Sequence, residues 1–120
     1  MRTITMIVIH CSAVRPDQTS SAAQIDTWHR RQGWKLGIGY HYVIRRDGTI
    51  EPGRPEWMIG AHCKNHNAHS IGVCYEGGYD IRGQPADTRT AEQKALWFLQ
   101  WAPVSHSGRP GSIVPSRRIT

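Results

Sequence analysis

The chain has 120 residues, 38% of them hydrophobic, and a formal net charge of +6 at pH 7. This length predicts one domain, and no apolar run reaches the roughly 18 residues that a membrane-spanning helix requires. The charge does not predict a nucleic-acid partner. Half of it comes from Arg109, Arg117 and Arg118 in an acid-free C-terminal stretch, and no nucleic-acid-binding motif is present. The three cysteines form no CxxC pair, so no disulfide framework is expected.

The N-terminal stretch Met1–Ile9 carries one arginine and a short β-branched apolar run. It has neither the apolar length nor the small-residue cleavage site of a secretory signal peptide. We therefore expect a protein that is cytoplasmic when synthesised, with no membrane partner, and that reaches an extracellular target only after release, for example by lysis.

The first half of the chain predicts a buried strand followed by a helix. Both faces of Thr5–His10 are apolar, which is typical of a central strand covered on both sides, and His10 is the first polar group at its C-terminal end. Ser21 and Gln24 have the spacing of a capping box, and Gly33 marks the end of the helix that the box opens.

The second half predicts two more strands, a hairpin and a second helix. Tyr40–Ile44 and Ser70–Tyr75 are apolar runs typical of buried strands. Asp47–Gly48 is a strong hairpin signal and predicts a type I′ turn. A second capping box, Thr90–Gln93, opens a helix that Pro103 must stop. The predicted fold class is therefore α/β, with a mixed central β-sheet flanked by helices.

The last stretch of the chain differs in composition from the rest. Pro, Gly and Ser make up nearly half of residues 102–120. This stretch contains no Asp or Glu and shows neither a helical nor a strand period. This predicts one domain over residues 1–101 and an irregular or disordered basic tail over residues 102–120.

Several polar residues lie where strands are predicted to begin or end. His10 ends a strand, and Tyr40 and His41 begin another. Functional sites are often built at strand ends, although a lone histidine there is more often structural. The segment His62–His69 contains three histidines and could hold a metal, but it has neither HExxH nor zinc-finger spacing, which favours a surface loop.

Five motifs occur in the order in which one enzyme family carries them. They are Ile7–Ala13, Trp28–Trp34, Gly37–Ile44 with Arg46–Gly48, Gly60–His62, and Asn67–Val73. Over about residues 5–95 the chain resembles the zinc-dependent N-acetylmuramoyl-L-alanine amidases of the phage-lysozyme and peptidoglycan-recognition type. The resemblance implies that fold, with bacterial peptidoglycan as the partner.

The resemblance also implies a reaction and a cofactor. The reaction is hydrolysis of the amide bond between N-acetylmuramic acid and L-alanine, with Zn²⁺ as the cofactor. A catalytic zinc takes three protein ligands and one water, and it lowers the pKa of that water. By resemblance, His10 is the first zinc ligand and Tyr40 is the catalytic residue that assists the bound water or the tetrahedral intermediate.

Four further residues receive roles from the same resemblance. His62 and Asn67 would line the substrate groove, and Trp34 is a weaker candidate for its wall. His41 would support the site indirectly, without binding the metal or the substrate, by holding the strand end in place.

The C-terminal end departs from the family pattern. The remaining zinc ligands should be a His that ends a further strand and a Cys or Asp in a Pro-containing loop, but nothing in Ala95–Thr120 matches them. We therefore expect the domain to lack its last strand and its zinc-ligand loop. Two alternatives follow: a catalytically impaired module that binds peptidoglycan without a complete zinc site, or a different site completed by His62, His66, His69 or His106. An exposed sheet edge would also favour self-association.

We predict that the reading frame changes near Ala95–Leu96, because the family pattern stops there and the residues that follow include no Asp or Glu. Sequencing the gene checks this prediction: a family-like ending should appear in one of the two shifted frames. If neither frame encodes such an ending, the chain has a genuinely divergent C-terminus.

Overall fold

The structure is a computed structural model that describes residues 2–96 and 112–115. Within these residues no helix is both long and apolar enough to cross a membrane. The elements, in chain order, are β1 (Met6–Cys11), α1 (Ala22–Arg31), β2 (Tyr42–Ile44), β3 (Ile50–Pro52), a 3₁₀ turn (Asn67–His69), β4 (Ser70–Tyr75), α2 (Ala91–Leu96) and β5 (Ser112–Pro115).

All five strands form one sheet in the order β3-β2-β4-β1-β5. Strand β1 lies parallel to β4 and β5, β2 lies parallel to β4, and β3 closes an antiparallel hairpin with β2. The predicted mixed α/β class is confirmed. Strand β1 is covered on both faces, as its two apolar faces predicted, and its register sets His10 opposite Cys74.

Two apolar clusters pack on opposite faces of this sheet. One joins alternate residues of β1 and β4 to the end of β2, and consists of Ile7, Ile9, Ile44, Ile71 and Val73. The other packs α1 on the sheet and consists of Ile25, Ile38, Tyr40, Val43 and Cys74. Helix α1 begins with the predicted capping box, in which the Ser21 and Gln24 side chains each bond to the other residue's backbone N–H.

The hairpin between β2 and β3 forms as predicted, but its turn is not type I′. That turn needs positive φ at two residues, whereas Gly48 alone has it here (φ 92°). The N–H of Gly48 donates to the carbonyl of Arg45, and the N–H of Arg45 donates to Thr49, which makes a three-residue loop ending in a left-handed glycine. The Asp47 carboxylate accepts the N–H of Thr49, and this local bond favours an ordinary turn conformation at Asp47.

The C-terminal end corrects part of the sequence expectation. Residues 112–115 form β5 beside β1, so the expected irregular tail and the missing last strand do not hold there. The β-branched pair Ile113–Val114 suits a strand, and the open edge of β1 offers it backbone partners. The remaining tail, His106 and the predicted helix beyond Leu96 lie outside the described residues.

A buried carboxylate ties four segments together at the C-terminal end of β4. Glu76 is only 3% exposed. Its carboxylate accepts the N–H of Ser20 (2.6 Å), the N–H of Arg46 (3.0 Å) and Nε of Arg45 (3.1 Å). The side chain of Gln93 on α2 donates to the backbone carbonyl of Glu76 and to that of the last residue of β2. This residue therefore fixes the entry to α1, the hairpin and α2 against the sheet.

Replacing Glu76 with glutamine should lower the free energy of unfolding at pH 7 by about 1.5–3 kcal/mol, the usual contribution of hydrogen bonds to a charged group. Burial alone would raise the pKa of Glu76, but the bonds from Ser20, Arg45 and Arg46 outweigh it and lower the pKa. A carboxylate with a lowered pKa stabilises the folded state above its unfolded pKa of about 4.3. The difference from wild type should therefore shrink as the pH falls from there through the folded pKa.

Urea unfolding at pH 7 and at pH 3 measures both effects. The matched control is Asp17→Asn, which breaks an exposed ion pair with Arg15 (3.5 Å) and should change the free energy of unfolding by less than about 0.5 kcal/mol. An equal loss for Glu76→Gln at both pH values would contradict the role of its charge.

Candidate functional site

The candidate site is built around two imidazoles in contact. His10 at the end of β1 is fully buried, and its Nε2 lies 2.9 Å from Nδ1 of His62, which is 1% exposed. The glycine at position 72 explains how the ring of His62, which lies on a loop, packs against strand β4. A Cβ atom on Gly72 would lie 2.5 Å from the His62 ring, so only glycine leaves room for that ring against β4.

The His10–His62 contact is a hydrogen bond between two ring nitrogens, in which the tautomers decide which nitrogen donates and which accepts. Nε2 of His62 also lies 3.2 Å from Oγ of Ser70. Burial, with smaller contributions from His10 and His41, lowers the pKa of His62 to about 3. His62 is therefore a poor proton acceptor at neutral pH, and it can position other groups through hydrogen bonds.

His41 is held in one tautomer by two backbone bonds. The N–H of Gly72 donates to its Nδ1 (3.0 Å), so the proton resides on Nε2, which donates to the carbonyl of Met58 (2.8 Å). The guanidinium of Arg2, 3.2 Å from the same Nε2, is also a donor, so that contact is not a hydrogen bond. Burial lowers the pKa of His41, and the bond to Met58 only partly opposes this effect. His41 thus ties β4 to the loop around Met58.

Tyr40 lies between the histidines and the α1 layer. Its ring is 1% exposed, and its centroid lies 5.1 Å from that of His10 and 5.6 Å from that of His29. The Tyr40 side chain packs in the same apolar cluster as the thiol of Cys74. Burial raises the pKa of that thiol well above its usual value, and the neighbouring Tyr40 side chain partly opposes the rise. Cys74 is thus a neutral buried thiol.

Trp34 and Asn67 shape the surroundings of the histidines. The half-buried Trp34 ring packs on His29 at 4.3 Å, and Nδ1 of His29 accepts the N–H of Gly39 (3.0 Å) at the entry to the second strand. Oδ1 of Asn67 accepts the backbone N–H groups of His62 and Cys63, each at 2.9 Å. Asn67 therefore fixes the loop that carries His62.

The structure brings His10, Tyr40, His41 and His62 together, with neighbouring ring centroids 5.0–6.4 Å apart. Trp34 reaches this group through His29, and Asn67 reaches it through its loop. The roles that the resemblance assigned to these six residues stay predictions. No role was predicted for Gly72 from the sequence, although a glycine inside an apolar strand indicates that another group packs closely against the backbone there.

The described residues do not by themselves fit a zinc ion. No group of three or more His, Cys, Asp or Glu side chains converges in residues 2–96 and 112–115. Of the expected ligands, His10 alone is among them, whereas a catalytic zinc takes three from the protein. Any further donors would have to come from residues outside the described ones.

Comparisons with known proteins agree with these features. A family model described as N-acetylmuramoyl-L-alanine amidase matches residues 1–115. The endolysin of Escherichia phage T7 is 50% identical over 94 residues, which cover 78% of this chain and 62% of the endolysin. Peptidoglycan-recognition protein SC2 of Drosophila melanogaster is 34% identical over 99 residues, 78% of this chain and 53% of that protein.

A solved structure shows the same architecture. The endolysin N-acetylmuramoyl-L-alanine amidase LysCS from Clostridium intestinale URNW has a TM-score of 0.77 and 29% identity, covering 95% of this chain and 69% of that one. The chain spans less than two thirds of the length of the phage T7 endolysin.

In the metal-free protein the His62 imidazole should stay neutral between about pH 8 and about pH 5, where an ordinary imidazole of pKa about 6.5 gains a proton. A depressed imidazole pKa stabilises the folded state above the unfolded value, so this contribution should fall as the pH drops from about 6.5 towards the folded pKa of about 3. Long-range ¹H–¹⁵N spectra, assigned with His62→Gln, measure the protonation state. A titration midpoint near the ordinary value would contradict a buried, neutral His62.

Proposed function

Since this chain belongs to the N-acetylmuramoyl-L-alanine amidase family, we propose that it acts on bacterial peptidoglycan and hydrolyses the amide bond between N-acetylmuramic acid and L-alanine. The observation that carries the proposal is the convergence of three side chains: His10 on β1, Tyr40 just before β2, and His62 on the loop that packs against β4. These residue types supply the hydrogen bonding and proton transfer that amide hydrolysis requires.

The burial and charge of each side chain suggest how the roles divide. His62 has a pKa of about 3, which argues against a general base and supports a part in orienting substrate or His10. Tyr40 has an O–H group that can stabilise developing negative charge on a carbonyl oxygen. His41 accepts a backbone hydrogen bond at Nδ1 and donates one from Nε2, so we assign it the role of holding the strands in position.

The cofactor belongs to the proposal as well. We infer Zn²⁺ from the family, with His10 as the one ligand among the described residues. When bound, such an ion polarises the carbonyl and activates water. We also propose that the protein is cytoplasmic when synthesised and acts on the cell wall after release.

A second candidate is a module that binds peptidoglycan without cutting it. The observation that favours it is the incomplete set of metal-binding side chains within the described residues. In this candidate, too, His62 and Asn67 would take the substrate-groove roles that the resemblance implies.

Zinc content and wall hydrolysis separate the two candidates. After exhaustive dialysis against metal-free buffer, an amidase should retain about one zinc per chain. It should also release new L-alanine amino groups from purified peptidoglycan. Tyr40→Phe should then lower the rate by about 100-fold, the scale of losing one positioned catalytic group, and His10→Gln should abolish both zinc retention and hydrolysis.

The exposed Asp17→Asn variant is the matched control and should behave as wild type. Co-sedimentation with peptidoglycan without zinc and without amine release would establish the binding module instead. A chain that neither sediments with peptidoglycan nor cuts it would overturn both candidates.

A further inference from the structure

A second pair of histidines lies on the surface of the loop that follows His62. His66 is exposed and His69 is half-buried, and they face each other across the 3₁₀ turn Asn67–His69. Their rings are nearly perpendicular (83°), with centroids 5.4 Å apart. Nδ1 of His66 lies 3.4 Å from Nε2 of His69. Neither residue touches the His10–His62 contact through any bond or ring contact described above.

The spacing of this pair suits an ion better than a hydrogen bond. Hydrogen bonds to nitrogen or oxygen cluster at about 2.7–3.2 Å, and the buried pair at 2.9 Å falls in that range. Two nitrogens bound to one metal at about 2.0–2.1 Å with a tetrahedral angle lie roughly 3.4 Å apart. The exposed pair has that separation. Small ring rotations at the surface could therefore aim both lone pairs at one ion.

We propose that His66 and His69 form a two-imidazole site for a divalent transition-metal ion of the copper, nickel and zinc group. Imidazole nitrogens suit these ions, whereas Mg²⁺ and Ca²⁺ require oxygen ligands. Cu²⁺ should bind most tightly, since it stands highest in the order of affinities for nitrogen sites. Its preferred angle of about 90° requires the two nitrogens to approach from 3.4 Å to about 2.9 Å, whereas a tetrahedral Zn²⁺ fits the observed separation. Water completes the coordination, because the pair is open to solvent.

The charged groups around this pair are positive and do not attract a cation. Lys64 is exposed on the same loop, and the Arg2 guanidinium donates to the carbonyls of Asn67 and Ala68 in the turn itself. Both positive groups oppose a cation that binds through charge alone. The affinity of the site must therefore come from the lone pairs of the imidazole nitrogens.

Metal binding here would act on the loop that shapes the candidate site. Asn67 lies between the two histidines in sequence and accepts the backbone N–H groups of His62 and Cys63. An ion that links His66 to His69 would hold the turn that contains Asn67 in its folded form. The site is therefore a surface clamp on the loop, and it does not depend on the proposed hydrolysis.

The test uses the full chain and Cu²⁺ alone as the probe. Substoichiometric Cu²⁺ should broaden the imidazole signals of His66 and His69 first in NMR spectra. Calorimetric titration should give an affinity that falls by at least about tenfold in both His66→Gln and His69→Gln, since each variant breaks the chelate. Bound Cu²⁺ should raise the melting temperature of wild type and of neither variant.

Cys63→Ser and His106→Gln are matched controls that remove other metal-binding side chains. Both should keep the affinity of the wild-type chain for Cu²⁺. The proposal is overturned if either single histidine variant binds Cu²⁺ as tightly as wild type. It is also overturned if the affinity is lost in one of the control variants instead.

Discussion

The buried carboxylate of Glu76 is the interaction on which the arrangement of this domain depends. A charged group at 3% exposure is stable only when it is fully bonded, and its partners come from segments far apart in sequence. Because Glu76 directly follows β4, its bonds place the start of α1 and the hairpin relative to the same strand. Strand β4 therefore acts as the reference for both layers of the fold.

The same strand positions the candidate site at its middle. Gly72 has no side chain, and the space it leaves admits the His62 ring, while its N–H and carbonyl bond to Nδ1 and to the backbone N–H of His41. One glycine thus locates two histidines on β4, and the neighbouring β1 supplies His10. The site is a consequence of strand packing, which is why its rings are buried and their pKa values are lowered where a shift is resolved.

Local patterns predicted much of this structure, and long-range contacts account for what they did not predict. The apolar period of β1 and the capping box at Ser21 depend on neighbours in sequence, and both were predicted correctly. The prediction of a type I′ turn was wrong because the Asp47 side chain accepts the backbone N–H of Thr49. Strand β5 was missed because its partner is β1, more than a hundred residues away. The family motifs brought His10, Tyr40, His41 and His62 forward as candidates. Their contacts depend on Gly72, whose effect is visible only once the strands are paired.

Two histidine pairs meet at one loop, which carries His62 of the inner pair and both members of the outer pair, and burial gives the pairs different chemistry. The inner pair is closed to water, its rings bond to each other at 2.9 Å, and burial lowers the pKa of His62 to about 3. The outer pair faces solvent, where water competes for each nitrogen and a 3.4 Å contact contributes little as a hydrogen bond. The inner rings are fixed by packing and favour one geometry, whereas the outer rings are free to rotate towards a ligand. Asn67 connects the two through the backbone of the loop, so that a constraint on the outer turn acts on the position of His62.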